Sequence, residues 1–193
     1  MSTREAIVQA AKDLIWEGGY EAMSPRDVMD RSGAGQGSLY HHFKGKRDLA
    51  GQALWEVNAE LRAIADRVFA HPERPPLERV RRFLNALSRD PLKGCRVGRL
   101  AVESSIEDDA IRAPVAAWFE YAEGKVKEAL EEAQANGQLR QGVDPSDLAL
   151  TITALLQGGY LVARAHHDPA AMHRALAGGM ALLESSANSA KRA

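Results

Sequence analysis

Between Ser32 and Lys46 the chain reads Ser32-Gly33-Ala34-Gly35-Gln36-Gly37-Ser38-Leu39-Tyr40-His41-His42-Phe43-Lys44-Gly45-Lys46. A Gly-rich turn leads into a short run of hydrogen-bonding side chains and ends in a basic exit. Between Asp30 and Asp48 the charged residues are Arg31, Lys44, Lys46 and Arg47, with no carboxylate among them, and His41 and His42 can add partial charge. That composition suits an anion. Gln36 has the groups for a bidentate bond to adenine N6/N7, and Ser38 can donate or accept at a base edge. Gly37 has no side chain to obstruct close approach to a base or sugar. Arg26, Tyr40, His41, His42, Lys44 and Lys46 supply donors of the kind that meet phosphate oxygens.

Such groups act only if something holds them at a fixed angle. The stretch 24–32 reads as a short helix with Ser24 as N-cap and Pro25 at the first helical position. A second short helix starts after Gly35, and two short helices joined by a Gly turn make a helix-turn-helix, whose second helix enters the major groove. Gly35 in place of a Ser, Asn or Asp cap costs only a few tenths of a kcal/mol, so that helix survives. Leu39 and Phe43 are expected to anchor it in the core. Ahead of both, Ser2 and Glu5 have capping-box spacing, and Ile7, Ala11, Leu14 and Ile15 form one apolar face that stops at Gly18-Gly19. This first helix should pack behind the motif.

Residues from about 3 to 55 resemble the N-terminal domain of the TetR family of bacterial regulators, whose pattern Ile-Ala-x-x-Ala-Gly-Val-Ser-x-Gly-Thr-Leu-Tyr-x-His-Phe-x-x-Lys appears here as Val28 to Lys46. The Leu39-Tyr40-His41-His42-Phe43-Lys44-Gly45-Lys46 core carries the likeness most specifically. The resemblance implies a dimeric repressor of double-stranded DNA that reads a palindromic operator and is released by a small effector. It also implies that Tyr40, His42 and Lys46 occupy phosphate-contacting positions. Two symmetric recognition helices about 34–36 Å apart would read one face of the duplex.

The chain has 193 residues, 45% of them hydrophobic, which bounds it to one large or two small globular domains. Its net charge of −1 carries no global basic field. In residues 1–50, Arg4, Lys12, Arg26, Arg31, Lys44, Lys46 and Arg47 are matched by Glu5, Asp13, Glu17, Glu21, Asp27, Asp30 and Asp48, so any basic face arises from their separation. A single cysteine excludes an internal disulfide framework and fits a reducing compartment. With no signal-like N-terminus and no 18-residue apolar run, a cytoplasmic location without membrane contact is expected.

Beyond Gly45 only helical periods appear. A long helix from Lys46 to about Ala70 is broken at His71-Pro72-Glu73-Arg74-Pro75-Pro76, and helices follow at roughly 77–89, 96–105, 109–136, 145–167 and 169–186. The expected fold is all-α with about nine helices. A three-helix DNA-binding domain would cover 1–48, and a helical effector-binding and dimerisation domain 49–193. The last two helices hold the Gly pairs Gly158-Gly159 and Gly178-Gly179, each mid-helix Gly costing about 1 kcal/mol against Ala, which close helix approach would offset. Internal close packing and a subunit interface both satisfy that requirement. By resemblance these helices form the dimer interface, with Thr153, Gly158, Leu161, Ala175, Gly178 and Leu182 on it.

By the same resemblance each subunit holds an effector pocket. Phe83, Leu87, Cys95, Trp118, Tyr121 and Tyr160 are candidate linings for a mainly apolar small molecule. The segment Gly94-Cys95-Arg96-Val97-Gly98-Arg99-Leu100-Ala101-Val102-Glu103 is similar to one found in a subset of the family. There Cys95, at an expected helix N-terminus beside Lys93, Arg96 and Arg99, would favour a thiolate able to sense electrophiles or oxidants. Its other reading is a small buried hydrophobe. Adjacent histidines His41-His42 and His166-His167 point about 100° apart on a helix and do not make a metal site. The Gly33-to-Gly37 run lacks the third Gly and preceding strand of a dinucleotide loop. No metal or cofactor is expected. With no nucleophile elbow or zincin motif, the carboxylates Glu103, Glu107, Asp108 and Asp109 read as a helix start rather than catalytic groups. A helical ligand carrier without DNA binding is the remaining alternative.

Overall fold

The computed structural model describes residues 2–188, and every regular element among them is a helix. Eight α-helices run in order: α1 (Thr3–Gly18), α2 (Pro25–Ser32), α3 (Gln36–His42), α4 (Lys46–Phe69), α5 (Pro76–Leu87), α6 (Asp109–Ala135), α7 (Pro145–Ala165) and α8 (Pro169–Asn188). The stretch expected to be a further α-helix, 96–105, instead forms two short 3-10 helices, Gly98–Val102 and Ser104–Glu107. Glu103 between them is extended, at φ −93° and ψ 149°, and its carboxylate is committed to backbone amides far away in sequence. A long-range tie thus overrides the local period.

The local chemistry of the caps behaves as the residues dictate. Ser2 and Glu5 close a reciprocal capping box on α1, with the Ser2 amide donating to Glu5 Oε2 at 2.8 Å. Ser24 and Asp27 do the same on α2 behind Pro25. Asp144 accepts from the Ser146 and Asp147 amides ahead of α7.

Two compact units emerge. The first comprises the chain up to Leu61 together with Arg96–Trp118; the second comprises Arg62–Cys95 and the chain from Phe119 onward. In the first, Ile7, Val8, Ala11 and Ile15 of α1 are buried with Leu39, Phe43, Leu49 and Leu54, and α1 packs on both α2 and α3. Segment 96–118 belongs to this unit through polar ties. Asn58, buried, donates from Nδ2 to the Pro114 carbonyl at 2.8 Å. Lys12 is buried with its ammonium on Glu60, and Glu60 accepts Arg96 at 2.5 Å. Burial pushes the Glu60 carboxyl up, but the hydrogen bonds from Lys12 and Arg96 outweigh it and hold the group below the usual carboxylate range.

In the second unit, Val80, Phe83 and Leu84 of α5 are buried, and Phe69 meets Phe83 at 5.3 Å between ring centroids. Arg79 is buried and pairs with Glu132. α7 packs along α8. A methyl group on Gly159 would sit 2.4 Å from Met172 Sδ, and one on Gly179 would sit 2.1 Å from Leu155 Cδ2. Close approach inside the chain therefore accounts for one Gly of each pair. Gly158 and Gly178 meet nothing within 4 Å. α7 is also long and apolar enough, by length and composition, to cross a membrane, its best 18-residue window having a mean hydropathy of 1.3. Thr, Gln and Gly interrupt its apolar residues, so α7 contains no continuous 18-residue apolar run.

Candidate nucleic-acid interface

α3 has only seven residues, far fewer than an isolated helix needs in water. Packing holds it instead. Leu39 and Phe43 are 2% and 1% exposed and pin its inner face and its exit. Gly33 ends α2 in the left-handed region, φ 72°, with its amide on the Met29 carbonyl at 2.9 Å, which supplies the sharp turn. Ala34 is buried beneath the turn, its amide bonded to Ser32 Oγ at 3.2 Å. Gly35 takes the N-cap position without a side-chain bond, as the sequence implies.

With the inner face fixed, the outer face follows from helical spacing. Gln36, Gly37, Tyr40 and His41 are exposed, and Ser38 and His42 are half-buried. Tyr40 is 51% exposed, so its ring and hydroxyl are open to solvent. A methyl on Gly37 would meet nothing within 4 Å, so the space beside it belongs to the solvent side. The side chain of Arg26 on α2 is 86% exposed and lies 3.9 Å from Asp30.

The basic exit is more divided than its sequence suggests. Arg31 pairs with Glu17 at 2.8 Å. Arg47 makes two bonds to Asp108, at 2.5 and 2.7 Å, which hold the Asp108 carboxyl below its ordinary range. Carboxylates from other elements thus pair with two of the four cations in the window, which narrows the anion-facing surface expected there. Lys46 donates from Nζ to the Glu21 carbonyl at 3.1 Å and lies 4.5 Å from the centroid of the Tyr20 ring. Lys44 is exposed and makes no ion pair among the described residues; its amide donates to Asp48 Oδ2 at 2.9 Å.

Sequence reasoning missed the group that braces this unit. The Glu103 carboxylate accepts the Tyr20 amide at 3.0 Å and the Glu21 amide at 3.3 Å, in the α1–α2 connection. Gly19 packs so close that a methyl there would fall 1.8 Å from Glu103 Oε1. Arg99 adds a bond to the Glu17 carbonyl at 3.0 Å. The available signals were Gly18-Gly19 and an isolated Glu that follows a Gly-rich segment, and neither reveals a partner about 80 positions away. Asp108 and Asp109 do form a helix start, with Asp108 Oδ1 accepting the Ala110 amide at 2.9 Å ahead of α6.

The candidate effector residues are distributed between the units. Trp118 falls in the first, and Phe83, Leu87, Cys95, Tyr121 and Tyr160 in the second. Tyr160 is buried and donates its hydroxyl to the Leu87 carbonyl at 2.7 Å, and burial raises its pKa. Tyr121 donates to Asp66, which with partial burial pushes the phenol up to about 12. Cys95 is half-buried in a loop rather than at a helix N-terminus, while Arg96 is engaged by Glu60 and Arg99 by the Glu17 carbonyl. The expected placement of that thiol at a helix N-terminus is therefore corrected. Among the six residues expected at a subunit interface, Leu161 and Leu182 are 71% and 72% exposed, Gly158 and Gly178 are exposed, and Thr153 and Ala175 are half-buried.

A short exposed helix held by a turn and by packing on α1, followed by helices alone among the described residues, has the form of a helix-turn-helix DNA-binding regulator. Residues 7–53 match the family described as bacterial regulatory proteins, tetR family, and residues 76–178 match the tetracyclin repressor-like C-terminal domain. The chain belongs to the TetR family of DNA-binding transcriptional regulators. It is 26% identical over 159 residues to the HTH-type transcriptional repressor DhaR of Mycobacterium sp. (strain GP1), covering 82% of this chain and 80% of that protein. It is 31% identical over 177 residues to an uncharacterized HTH-type transcriptional regulator of Mycobacterium tuberculosis, covering 86% of each. A crystal structure of a TetR-family regulator from Agrobacterium tumefaciens superposes with a TM-score of 0.86 at 25% identity, covering 94% of this chain and 97% of that one.

Proposed function

We propose that this regulator is a cytoplasmic homodimeric repressor that binds a palindromic operator and is released by a small, mainly apolar effector. The observation that carries the reading is the outer face of α3. Gln36 and Ser38 present base-reading groups there, and Gly37 leaves room for approach. Tyr40, His41, His42, Lys44 and Lys46, with Arg26 on α2, supply phosphate donors. The exposed Leu161 and Leu182, with Gly158 and Gly178 open beside them, support a second copy on the outer face of α7 and α8. That occupant accounts for the hydropathy of α7 without a membrane.

Residues 1–48 would serve DNA and 49–193 effector binding and dimerisation, with α4 continuous between the two roles. Phe83, Leu87, Cys95, Trp118, Tyr121 and Tyr160 remain the proposed effector lining, and the Gly94-to-Glu103 segment supports placement in the family subset that shares it. An effector releases DNA only if it binds the released state more tightly, and that differential affinity sets the whole shift.

Selection of bound duplexes from a random pool tests the reading. Enrichment of a two-fold palindrome is the expected result. Enrichment of an asymmetric site, or none from ligand-free protein, overturns it, and the second outcome favours a helical ligand carrier.

A further inference from the structure

A cleft in the second unit, beside the last turns of α4, is lined by cations. Arg67, Arg74, Arg82 and Arg89 surround a space of about 600 Å3, and Ile64, Val68 and Ala86 supply its apolar wall; no carboxylate lines it. The arrangement follows from register. Ile64, Arg67 and Val68 fall at i, i+3 and i+4 on α4, and Arg82, Ala86 and Arg89 fall at i, i+4 and i+7 along the face of α5 and its exit. Arg74 enters from the connection between the helices.

Partners neutralise only part of this charge. Glu78 binds Arg82 at 2.7 Å from one turn back, and Glu73 lies 3.9 Å from Arg74. Arg67 and Arg89 make no ion pair among the described residues. The C-terminal end of α4 contributes roughly half a negative charge nearby, which two unmatched guanidiniums outweigh. Convergent guanidiniums favour planar, multidentate acceptors such as carboxylate and phosphate. The half-buried Ile64, Val68 and Ala86 would stay wet against a bare inorganic ion and be covered by a hydrocarbon chain.

We infer that this cleft binds a small amphiphilic organic anion, with its carboxylate or phosphate head on Arg67 and Arg89 and its apolar tail along Ile64, Val68 and Ala86. The site is separate from the residues proposed to line the effector pocket, and it requires neither operator binding nor dimerisation.

Isothermal titration of the full-length protein, in low-salt buffer free of phosphate, tests it with octyl phosphate and octanoate. Inorganic phosphate serves as the head alone. Saturable binding of at least one amphiphile is expected, about tenfold or more tighter than inorganic phosphate, and the tighter amphiphile identifies the head. The double change Arg67→Gln with Arg89→Gln should weaken binding about tenfold or more, while Arg140→Gln, outside the cleft, leaves it unchanged. Ala86→Glu, which places a carboxylate among the guanidiniums, should abolish it. Three results would overturn the inference: no saturable binding of either amphiphile below about 5 mM, inorganic phosphate binding as tightly as octyl phosphate, or undiminished binding by Ala86→Glu and the double variant.

Discussion

Lys44→Ala isolates the electrostatics of the proposed interface better than any other change in the basic exit. Its ammonium makes no ion pair among the described residues, whereas Arg31, Arg47 and Lys46 each have a partner within the fold. Truncating it should leave the protein's thermal midpoint nearly unchanged, since exposed charges contribute little to stability. Each phosphate contact contributes about −0.9 to the slope of log affinity against log salt, so two copies in a dimer flatten the slope by about 1.8. Raising salt fourfold, from about 50 to 200 mM, changes log salt by about 0.6, and the variant is therefore spared roughly a twelvefold loss of affinity. Fluorescence anisotropy with a labelled operator across that range reads the slope directly. A slope equal to that of the unaltered protein removes Lys44 from the phosphate contacts, and a slope flattened by half as much indicates one engaged subunit instead of two.

Lys46→Ala should flatten the slope too, but it also removes the bond to the Glu21 carbonyl and the contact with the Tyr20 ring, so melting must fall as well; an unchanged midpoint contradicts this. Gly37→Ala meets no atom in the fold and gains up to about 1 kcal/mol of helix propensity. It should therefore hold or raise the melting temperature while weakening operator binding, and undiminished affinity would mean that no DNA atom comes close there. Tyr160→Phe leaves the Leu87 carbonyl without its donor and should cost about 1 kcal/mol, or roughly 2–4 °C, in a melting scan. Glu60→Gln tests the Lys12–Glu60–Arg96 cluster. A carboxyl with a depressed folded pKa stabilises above its unfolded value and loses that contribution as pH falls through the folded one. The melting gap between the variant and the unaltered protein should accordingly hold at neutral pH and narrow as pH falls below the ordinary glutamate value of about 4.3, and a gap independent of pH would assign the cluster a packing role alone.

Caps and breaks were legible because they act within a few residues. Ser2 with Glu5, Ser24 ahead of Pro25, and the Gly33 turn each act inside one helical turn, so residue type and spacing alone determine them. The buried side of α3 was legible too, since Leu39 and Phe43 are the large apolar residues in an otherwise polar window. The charge pattern was not. Arg47 and Asp108 stand 61 positions apart, and Glu103 stands 83 from Tyr20, distances at which a sequence carries no trace of pairing. The same bonds explain why 96–105 fails to continue as one α-helix. Arg99 is drawn to the Glu17 carbonyl of α1 and Glu103 to the amides just beyond it, and an extended Glu103 is the geometry that reaches them.

The glycine pairs show how a residue pattern can be read correctly and still leave its purpose divided. Their helix cost implies close approach, and the fold supplies it at Gly159 and Gly179, against Met172 and Leu155. That packing uses only the inner member of each pair. Adjacent helix positions point about 100° apart, so Gly158 and Gly178 must present backbone to a different side, beside Leu161 and Leu182. Among the described residues, no close internal neighbour offsets the cost of about 1 kcal/mol at either outer glycine. In the proposed dimer, a second copy of α7 and α8 approaching at short distance would provide one, and the proposal therefore sets the subunit contact at Gly158 and Gly178.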